Sequence, residues 1–480
     1  MTTMDSPSSE NTAISGIETR SIDWVPLSER HGRAWHQGPF WFNGGFVLPS
    51  MLIGFIGPGL GLSLGWSLIA VISGMAFGTL FMALHANQGP RLGLPQMIQS
   101  RAQFGAKGAM FPMLVAVCIY IGYNVFQLIL AGEAISVLLP GGKIWYVVCA
   151  LAATMIAVVG HDLLHTVQRW SSYVILAVFA IFTVVAAIHL PDQYQAHGEF
   201  SFNAFLFQFA AAGGYQISYA IYVSDYSRYL PPTISDRGLI TWTFVGGTAG
   251  AAWLGCLGTL LSSYIPNANP IAGIHDTGNF LFAGFGVICV LATLPPLIGT
   301  SAVNAYGAML TGATIIDGIR HVQPGKGLRV VGLVMAGGIG LALSVAMPAN
   351  YLDAFTTFIH IMGYCLVPWT AVNLMDFYVV RRGHYSIDDI LDPTGRYGQW
   401  AWRGLTAYFA GFVAMVPCFS LSFFEGPVTR ALGGADISFI VGLIVSGLVY
   451  LALCRGRGDT PLTGDVVSVS ASKAPADMRK

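Results

Sequence analysis

Lysine and arginine residues are segregated along this 480-residue chain by the apolar runs that lie between them. When about twelve apolar runs are taken as membrane spans, only Lys143 and Arg430 of the 23 cationic residues fall in the gaps on one side. The other 21 lie in the alternate gaps or in the terminal segments. Membrane proteins keep their cation-rich loops in the cytoplasm, whereas a soluble protein has no reason for this segregation. The pattern predicts a multi-pass protein of the plasma or inner membrane, with both termini cytoplasmic.

The composition fits a chain whose surroundings are mostly lipid. Apolar residues make up 54% of the chain and charged residues 10%, against roughly 25% charged residues in soluble domains. The formal net charge is zero, so no nucleic-acid partner is expected. All seven cysteines lie inside apolar runs and are expected to be small buried hydrophobic residues rather than disulfide partners or zinc ligands.

A bilayer-crossing helix needs roughly 20 residues, and the apolar runs that are longer than this imply a tilt, a bend or an unwound middle. The predicted spans lie near residues 39–62, 66–86, 109–138, 144–160, 170–190, 204–223, 239–264, 280–311, 328–348, 353–379, 402–424 and 435–454. This series predicts an all-α polytopic protein with one transmembrane domain over residues 36–455. The polar segments 1–35 and 456–480 are expected to be flexible cytoplasmic tails.

Two spans contain residues that weaken helical hydrogen bonding. The first span has paired glycines between Trp41 and Pro49, and the sixth has Gly213-Gly214 followed by Tyr215 and Gln216. Lipid supplies no hydrogen bonds, so such breaks are tolerated where the freed backbone groups face protein, substrate or ion. The alternative is close helix packing through small residues. Breaks five spans apart predict an inverted repeat of five plus five helices, near 39–190 and 204–379, with two further helices near 402–454.

Three stretches resemble one family of transporters. They are Gly93 to Gly105 after span two, Ser218 to Pro231 at the end of span six, and Thr300 to Tyr306 in span eight. Together they resemble the purine-cytosine permease branch of the nucleobase:cation symporter family, although Ile221 stands where a proline is expected. The resemblance implies a LeuT-type inverted-repeat fold with broken helices 1 and 6. It also implies alternating access and import of a nucleobase or related heterocycle by cation symport.

Span three combines an aromatic ring with an amide. Tyr123 and Gln127 are four residues apart and therefore lie on one helical face, and the resemblance implies that both contact substrate. A planar heterocycle needs aromatic faces for stacking and amide or hydroxyl groups that bind its edge. The alternative is that both side chains only bridge neighbouring helices.

Spans one, six and eight are expected to supply the rest of the substrate site. The resemblance implies a second stacking aromatic at Tyr219, with Tyr222 one turn away as the alternative. The Asn304 amide offers both a donor and an acceptor to a base edge. The remaining predicted substrate-binding residues are Asn43 in the broken first span and Gly214 and Gln216 in the sixth.

The coupling cation is expected to be Na⁺ or H⁺, and no other cofactor is expected. Thr300 and Ser301 match the hydroxyl pair that sodium-coupled relatives use, and backbone carbonyls would complete the site. The predicted Na⁺ ligands are Asn43, Phe46, Leu297, Thr300 and Ser301. The alternative is that the two hydroxyls bond back to their own helix. Because no carboxylate is evident at midplane depth, the sequence slightly favours Na⁺ over H⁺.

Other readings of the chain remain open. His161 and His165 are four residues apart and could share a metal, but a catalytic zinc normally has three protein ligands, so a membrane metalloenzyme is a remote alternative and the chain is expected not to be an enzyme. A channel is equally remote, because no ring of charges or repeated filter loop is visible. Allantoin, a hydantoin or a pyridine vitamin could replace the nucleobase. The protein is expected to work as a monomer in the lipid bilayer.

Overall fold

The computed structural model describes residues 24–455 apart from residues 160, 195, 197, 266–268, 320–325 and 349. The described chain is almost entirely helical, with one short hairpin of strands β1 Ser420–Leu421 and β2 Phe424–Glu425. The helices are α1 Gln37–Gly45, α2 Leu48–Gly59, α3 Leu64–Ala86, α4 Gln88–Leu92, α5 Gln96–Gln99, α6 Arg101–Phe104, α7 Met110–Leu138, α8 Ile144–Val159, α9 His161–Gln193, α10 Phe202–Ile217, α11 Val223–Ser227, α12 Asp236–Tyr264, α13 Pro270–Gly278, α14 Phe285–Ile319, α15 Lys326–Ala346, α16 Tyr351–Leu374, α17 Ile387–Leu391, α18 Trp402–Met415, α19 Pro427–Ala431 and α20 Ser438–Cys454.

The helices follow the predicted spans in order, but the helix of span eleven, predicted to reach residue 424, ends at Met415. In the described residues, seven helices are long and apolar enough to cross a membrane, and the bent pair α1 and α2 provides an eighth crossing. Shorter apolar helices, among them α8 and α20, occupy the positions of the other predicted spans. The helices are therefore consistent with twelve crossings.

Helix packing follows the pairing that an inverted repeat requires. In such a repeat, spans one to five correspond to spans six to ten, so each packing contact should recur with the roles exchanged. The first half of span six, α10, packs on α3 of span two, and correspondingly α2 of span one packs on α12 of span seven. Likewise α8 packs on α14, while α15 packs on α7. The contacts thus have the pseudo-symmetry predicted from the positions of the two breaks.

Small residues bring these paired helices close together. A Cβ atom at Gly54 in α2 would lie 2.0 Å from the carbonyl oxygen of Gly255 in α12. In the corresponding contact, a Cβ atom at Gly78 in α3 would lie 2.2 Å from the carbonyl oxygen of Gly213 in α10. Lipid tails are as apolar as leucine, so close van der Waals packing of this kind drives helix association in membranes.

Both predicted breaks are present, but the break in span six lies further along the chain. The first span bends by 60° between α1 and α2, where Phe46 has φ −84° and ψ 61°. The sixth span ends its α-helix at Ile217 and continues as a 3₁₀ turn before α11. The prediction of a break at Gly213-Gly214 is wrong, because both glycines are helical and Gly213 packs against α3.

A serine hydroxyl competes for a helical carbonyl at the second break. The Ser218 hydroxyl donates to the carbonyl oxygen of Tyr215 at 2.6 Å. Serine side chains compete in this way with the backbone amides for helical carbonyls, which loosens or ends a helix.

The segment just before α1 is packed rather than flexible. The Val25 amide donates to the Gly93 carbonyl at 3.0 Å, and the Arg30 guanidinium donates to the Pro90 carbonyl at 2.9 Å. Burial lowers the pKa of Arg30 to about 10, so it stays charged at neutral pH. Gly93 has φ +67°, and a Cβ atom there would lie 1.8 Å from the guanidinium. The expectation of a flexible tail up to residue 35 is therefore wrong for residues 24–35.

We predict that Gly54→Ala destabilises the protein by about 1–3 kcal/mol, because its methyl group would overlap the α12 backbone. Gly59→Ala is the matched control, since Gly59 ends the same helix and has open space where a Cβ atom would lie. Alanine there should be neutral or slightly stabilising. Thermal unfolding of the detergent-solubilised protein measures both effects. Equal unfolding temperatures for the two variants would contradict the close packing of α2 on α12.

Candidate functional site

A cavity of about 460 Å³ lies between the broken spans and spans three, five and eight. Span one contributes Asn43, Phe46 and Val47, and span three contributes Tyr120, Tyr123 and Gln127; Tyr215, Tyr219 and Tyr222 come from span six, and Thr300, Val303 and Asn304 from span eight. Pockets of this size, mostly apolar with a few convergent polar groups, suit small organic ligands.

The cavity extends toward the cation-rich end of the bundle. Asp225, Arg228 and Tyr229, from the end of span six, line it on that side. On the opposite side the Tyr123 ring meets the Phe358 ring edge-on at 5.5 Å, and Phe126 meets Phe355 at 5.0 Å. These rings pack beside Tyr123, which itself lines the cavity.

Two side-chain amides sit together on the cavity wall. Asn304 donates through Nδ2 to Oε1 of Gln127 at 3.1 Å, and the Ser301 hydroxyl donates to the same oxygen at 3.3 Å. Within the described residues, Nε2 of Gln127 and Oδ1 of Asn304 have no protein hydrogen bond, so one donor and one acceptor remain for a ligand. Exchanging the orientation of both amides would instead leave Oε1 of Gln127 and Nδ2 of Asn304 free, which is again one acceptor and one donor.

Aromatic rings form most of the remaining wall. Tyr123 hydrogen-bonds through its hydroxyl to Ser218 at 2.8 Å, which fixes the ring on the cavity side of α7. Tyr219 and Tyr222 both line the cavity, so they are not alternatives. Tyr222 is nearly parallel to Trp41, with ring centroids 6.2 Å apart.

Trp41 and Tyr120 are among the cavity-lining aromatic residues that sequence reasoning missed. Tyr120 lies three residues before Tyr123, and this spacing places both on one face of α7. The face of Tyr123 and Gln127, extended by one turn, would have included it. Trp41 could have been found from its position in span one, just before the paired glycines.

Hydroxyl groups satisfy the backbone at the first break. Tyr219 donates to the Gly44 carbonyl at 3.1 Å, and Ser50 donates to the Gly45 carbonyl at 2.6 Å. Tyr215 lies between the two, its hydroxyl oxygen being 2.9 Å from that of Tyr219 and 2.9 Å from that of Ser50. The tyrosines of span six therefore hold the open backbone of span one, as membrane depth requires.

Some of the predicted cation ligands line the cavity and others do not. Asn43, Phe46 and Thr300 line it, whereas Leu297 and Ser301 are buried directly behind this wall. The Thr300 hydroxyl donates to the Pro296 carbonyl at 2.7 Å and lies 3.3 Å from that of Leu297. Both hydroxyls therefore use their protons within the protein, and their oxygen lone pairs remain available to a cation.

Gly214 and Gln216 lie outside the cavity, so the prediction that they bind substrate is wrong. Gln216 donates through Nε2 to Thr79 at 2.6 Å and to the Gly247 carbonyl at 3.0 Å. It thereby connects span six to spans two and seven. Gly214 faces Gly363 of α16, 3.5 Å from where a Cβ atom would lie. Because α10 continues to Ile217, these residues point to neighbouring helices rather than to an unwound segment.

The two longer motifs of the sequence, Gly93 to Gly105 and Ser218 to Pro231, meet at the cation-rich end of the cavity. The Asp225 carboxylate accepts the Gln96 amide at 2.7 Å, at the start of α5. Arg228 donates to the Asp225 carbonyl at 3.2 Å. This contact joins the loop after span two to the broken end of span six, which fits a structural or gating role rather than substrate binding.

Among the described residues, no three or more His, Cys, Asp or Glu side chains form a group that could hold a metal ion. The side chains of His161 and His165 lie outside the described residues.

Similarity to known proteins identifies the family. Residues 24–442 match the family of permeases for cytosine and purines, uracil, thiamine and allantoin. The chain belongs to this family. Among the permeases, YxlA of Bacillus subtilis, a candidate purine-cytosine permease, is 33% identical over 443 residues, which cover 92% of this chain and 96% of YxlA. The purine-cytosine permease FCY2 of Saccharomyces cerevisiae is 24% identical over 477 residues, covering 90% of this chain and 85% of FCY2.

The fold of this permease is shared with Mhp1. The inward facing conformation of Mhp1 gives a TM-score of 0.74 at 17% identity, covering 92% of this chain and 94% of that one. A closed conformation of Mhp1 with bromovinylhydantoin bound gives the same TM-score at 16% identity, covering 92% and 96%. These matches confirm the predicted resemblance and the all-α LeuT-type fold of a multi-pass membrane protein.

Proposed function

We propose that this permease imports a nucleobase of the cytosine or purine type by cation symport. The observation that carries the proposal is the free donor and acceptor of Gln127 and Asn304, side by side among aromatic rings. The edge of such a base offers an acceptor and a donor in the same way, and its ring stacks on aromatic faces. The likeness to purine-cytosine permeases supports this choice of substrate.

Tyr123 and Tyr219 are the rings against which the base would stack. Both line the cavity, and both have their hydroxyls held by protein groups, Ser218 for Tyr123 and the Gly44 carbonyl for Tyr219. A ring fixed before binding loses little conformational freedom when the substrate arrives, which favours affinity. The Tyr219 contact also ties substrate binding to the backbone of the broken first span.

Allantoin and hydantoin are the second candidate substrates. Their rings carry adjacent amide donors and acceptors, and the family includes an allantoin permease of Bacillus subtilis that is 24% identical to this chain. The same pair of amides would bind these rings, so the substrate has to be chosen by measurement.

Uptake of radiolabelled cytosine tests the proposed function. Cells without their own base uptake should show saturable import when they express the full chain, and unlabelled purines or cytosine should compete. Competition by allantoin or hydantoin alone would favour the second candidate. Absence of saturable uptake of any of these compounds, with the protein present in the membrane, would contradict the proposal.

We predict that Gln127→Ala and Asn304→Ala each weaken base binding by about ten- to a hundredfold. Each change leaves a buried substrate group without its partner, at a cost of about 1–3 kcal/mol. Gln216→Ala is the matched control, an amide outside the cavity whose loss should lower stability and leave affinity unchanged. Affinity is measured by competition of uptake at matched expression. If analogues lacking the affected edge group lose the same factor as the full base, the amides do not bind that edge.

A sodium site beside the substrate is supported by the oxygen atoms gathered there. Thr300 and Ser301 supply hydroxyl oxygens, and the non-helical backbone around Phe46 supplies carbonyls. Hard monovalent cations prefer such neutral oxygens, and in this fold they bind at unwound segments. Ser301 also donates to Gln127, so a cation held by Ser301 would order one of the two substrate amides.

Replacing Thr300 and Ser301 with alanine together should abolish the effect of Na⁺ on substrate affinity while leaving some ion-independent binding. Linkage requires that Na⁺ and substrate tighten each other by the same factor in the unmodified protein. Calorimetry at fixed pH, with Na⁺ replaced by choline, measures this factor. Unchanged affinity in choline, together with uptake driven by a pH gradient alone, would assign the coupling to H⁺.

The cation distribution supports a cytoplasmic location of both termini, which would place the end of the cavity lined by Asp225 and Arg228 on the cytoplasmic side. Alternating access would then require the repeats near 39–190 and 204–379 to rock against each other. A monomer contains the complete cavity and suffices for this cycle.

A further inference from the structure

The cavity between the broken spans has room for more than one small heterocycle. It measures about 460 Å³, and about 10–15 Å³ of such space holds one water molecule. A base of cytosine size displaces only a few water molecules. A single base bound by Gln127 and Asn304 would therefore leave most of the cavity to water.

Tyr120 and Gln127 lie at different depths of this cavity. Both line it from α7, and they are seven residues apart, which is about 10 Å along a helix that rises about 1.5 Å per residue. Helix α7 begins at Met110, just after Lys107, so Tyr120 is nearer to the cation-rich end. We call the depth of Tyr120 the inner level of the cavity. A monocyclic base is shorter than the separation from Gln127, so one held by that amide leaves the inner level open.

Three aromatic rings form a row at the inner level. The Tyr222 ring is inclined by 29° to that of Trp41 and by 27° to that of Tyr120, with centroids 6.2 Å and 5.9 Å away. Rings in full face contact lie about 3.5–4 Å apart, so these pairs are offset and part of each face stays uncovered. The three rings come from spans one, six and three, and all of them line the cavity.

The hydroxyls of Tyr120 and Tyr222 are not used by the protein. Among the described residues neither has a hydrogen-bond partner, whereas the hydroxyls of Tyr123 and Tyr219 are bonded to protein groups. Tyr120 is only 6% exposed and lines the cavity. A buried hydroxyl without a partner is costly, and water or a ligand in the cavity removes that cost. The inner level thus combines uncovered ring faces with two unused hydroxyls.

The Tyr120 ring packs against the backbone of α14. A Cβ atom at Gly307 would lie 2.7 Å from Cε1 of Tyr120, so the ring rests directly on this glycine. Its neighbour on the other side is Tyr222. The ring is therefore positioned by packing, although its hydroxyl is unused. A ring positioned in this way loses little conformational freedom when a ligand stacks on it.

We propose that Tyr120 and Tyr222 form a second, inner site for the same flat heterocycle that Gln127 and Asn304 bind. This inference rests on the proposed function, because it takes a planar, hydrogen-bonding ring as the substrate. The ring would stack on the uncovered tyrosine faces, and the two hydroxyls would bind its edge. A base that leaves the amide pair toward Asp225 would then pass to a second stacked position about 10 Å further in.

The two sites should differ in selectivity. The amide pair presents one free donor and one free acceptor in fixed positions, whereas a hydroxyl rotates and can either donate or accept. The inner site should therefore bind cytosine and purines with similar affinities. It should bind at least about tenfold more weakly than the amide pair binds its preferred base, because it lacks the two amide hydrogen bonds.

The test is the number of labelled cytosine molecules that bind to each molecule of the full chain, measured by equilibrium dialysis in detergent. Purines, allantoin and hydantoin are measured in the same way. Two molecules should bind, in two steps whose affinities differ by about tenfold or more. Replacing Tyr120 and Tyr222 together with alanine should remove the weaker step and keep the tighter one. Asn304→Ala should weaken the tighter step alone.

Tyr264→Ala is the matched control, because Tyr264 is a partly buried tyrosine at the end of α12 that does not line the cavity. It should keep both steps. If the double alanine variant does not fold, Tyr120→Phe and Tyr222→Phe still decide, since each should weaken only the weaker step, by about two- to tenfold.

The outcomes separate this inference from the proposed function. Binding of one heterocycle per protein at saturation would overturn the inner site and leave the proposed function standing. Two unchanged steps in the double alanine variant, or in both phenylalanine variants, would do the same. Absence of binding by every one of these heterocycles would overturn the proposed function and the inner site with it.

Discussion

Satisfaction of the open backbone in span one is the constraint on which the site depends. Carbonyl oxygens freed at the bend between α1 and α2 have no water to bind inside a membrane, and each would cost several kcal/mol if left unpaired. Tyr219 and Ser50 pair with two of them, and Tyr215 links these hydroxyls. The same tyrosines line the cavity, so the residues that permit the break also shape the binding wall.

This arrangement gives a physical route for coupling. A substrate stacked on Tyr219 would contact the residue whose hydroxyl holds the Gly44 carbonyl, and a cation near Phe46 would bind the same stretch of backbone. Ser301 donates to Gln127, so the hydroxyl pair of Thr300 and Ser301 is joined to the two side-chain amides on the cavity wall. Two ligands that order the same groups favour each other, because the second binds to groups the first has already fixed.

Long apolar runs and cation asymmetry were enough to predict a polytopic helical protein, because a helix is the only way for an open chain to cross lipid and its length is set by the bilayer. The inverted repeat was predicted from the spacing of the two breaks and from the family resemblance. Residues on one face of a straight helix, Tyr123 and Gln127, could also be predicted to share the cavity. Gln216 could not, because its direction depends on where α10 ends. The Ser218 hydroxyl bonds to the Tyr215 carbonyl at that end, and the paired glycines gave a misleading signal.

The pair of amides on the cavity wall has a consequence for how such a protein can diversify. Because Gln127 and Asn304 are fixed to each other and to Ser301, each contributes one free group, and that group can be changed without moving the helices. A glutamate in place of Gln127 would exchange a donor for an acceptor and match a differently substituted ring. The atoms that would select the substrate can therefore change independently of the helices that would move during transport. New substrates can arise by point substitution on an unchanged transport machine.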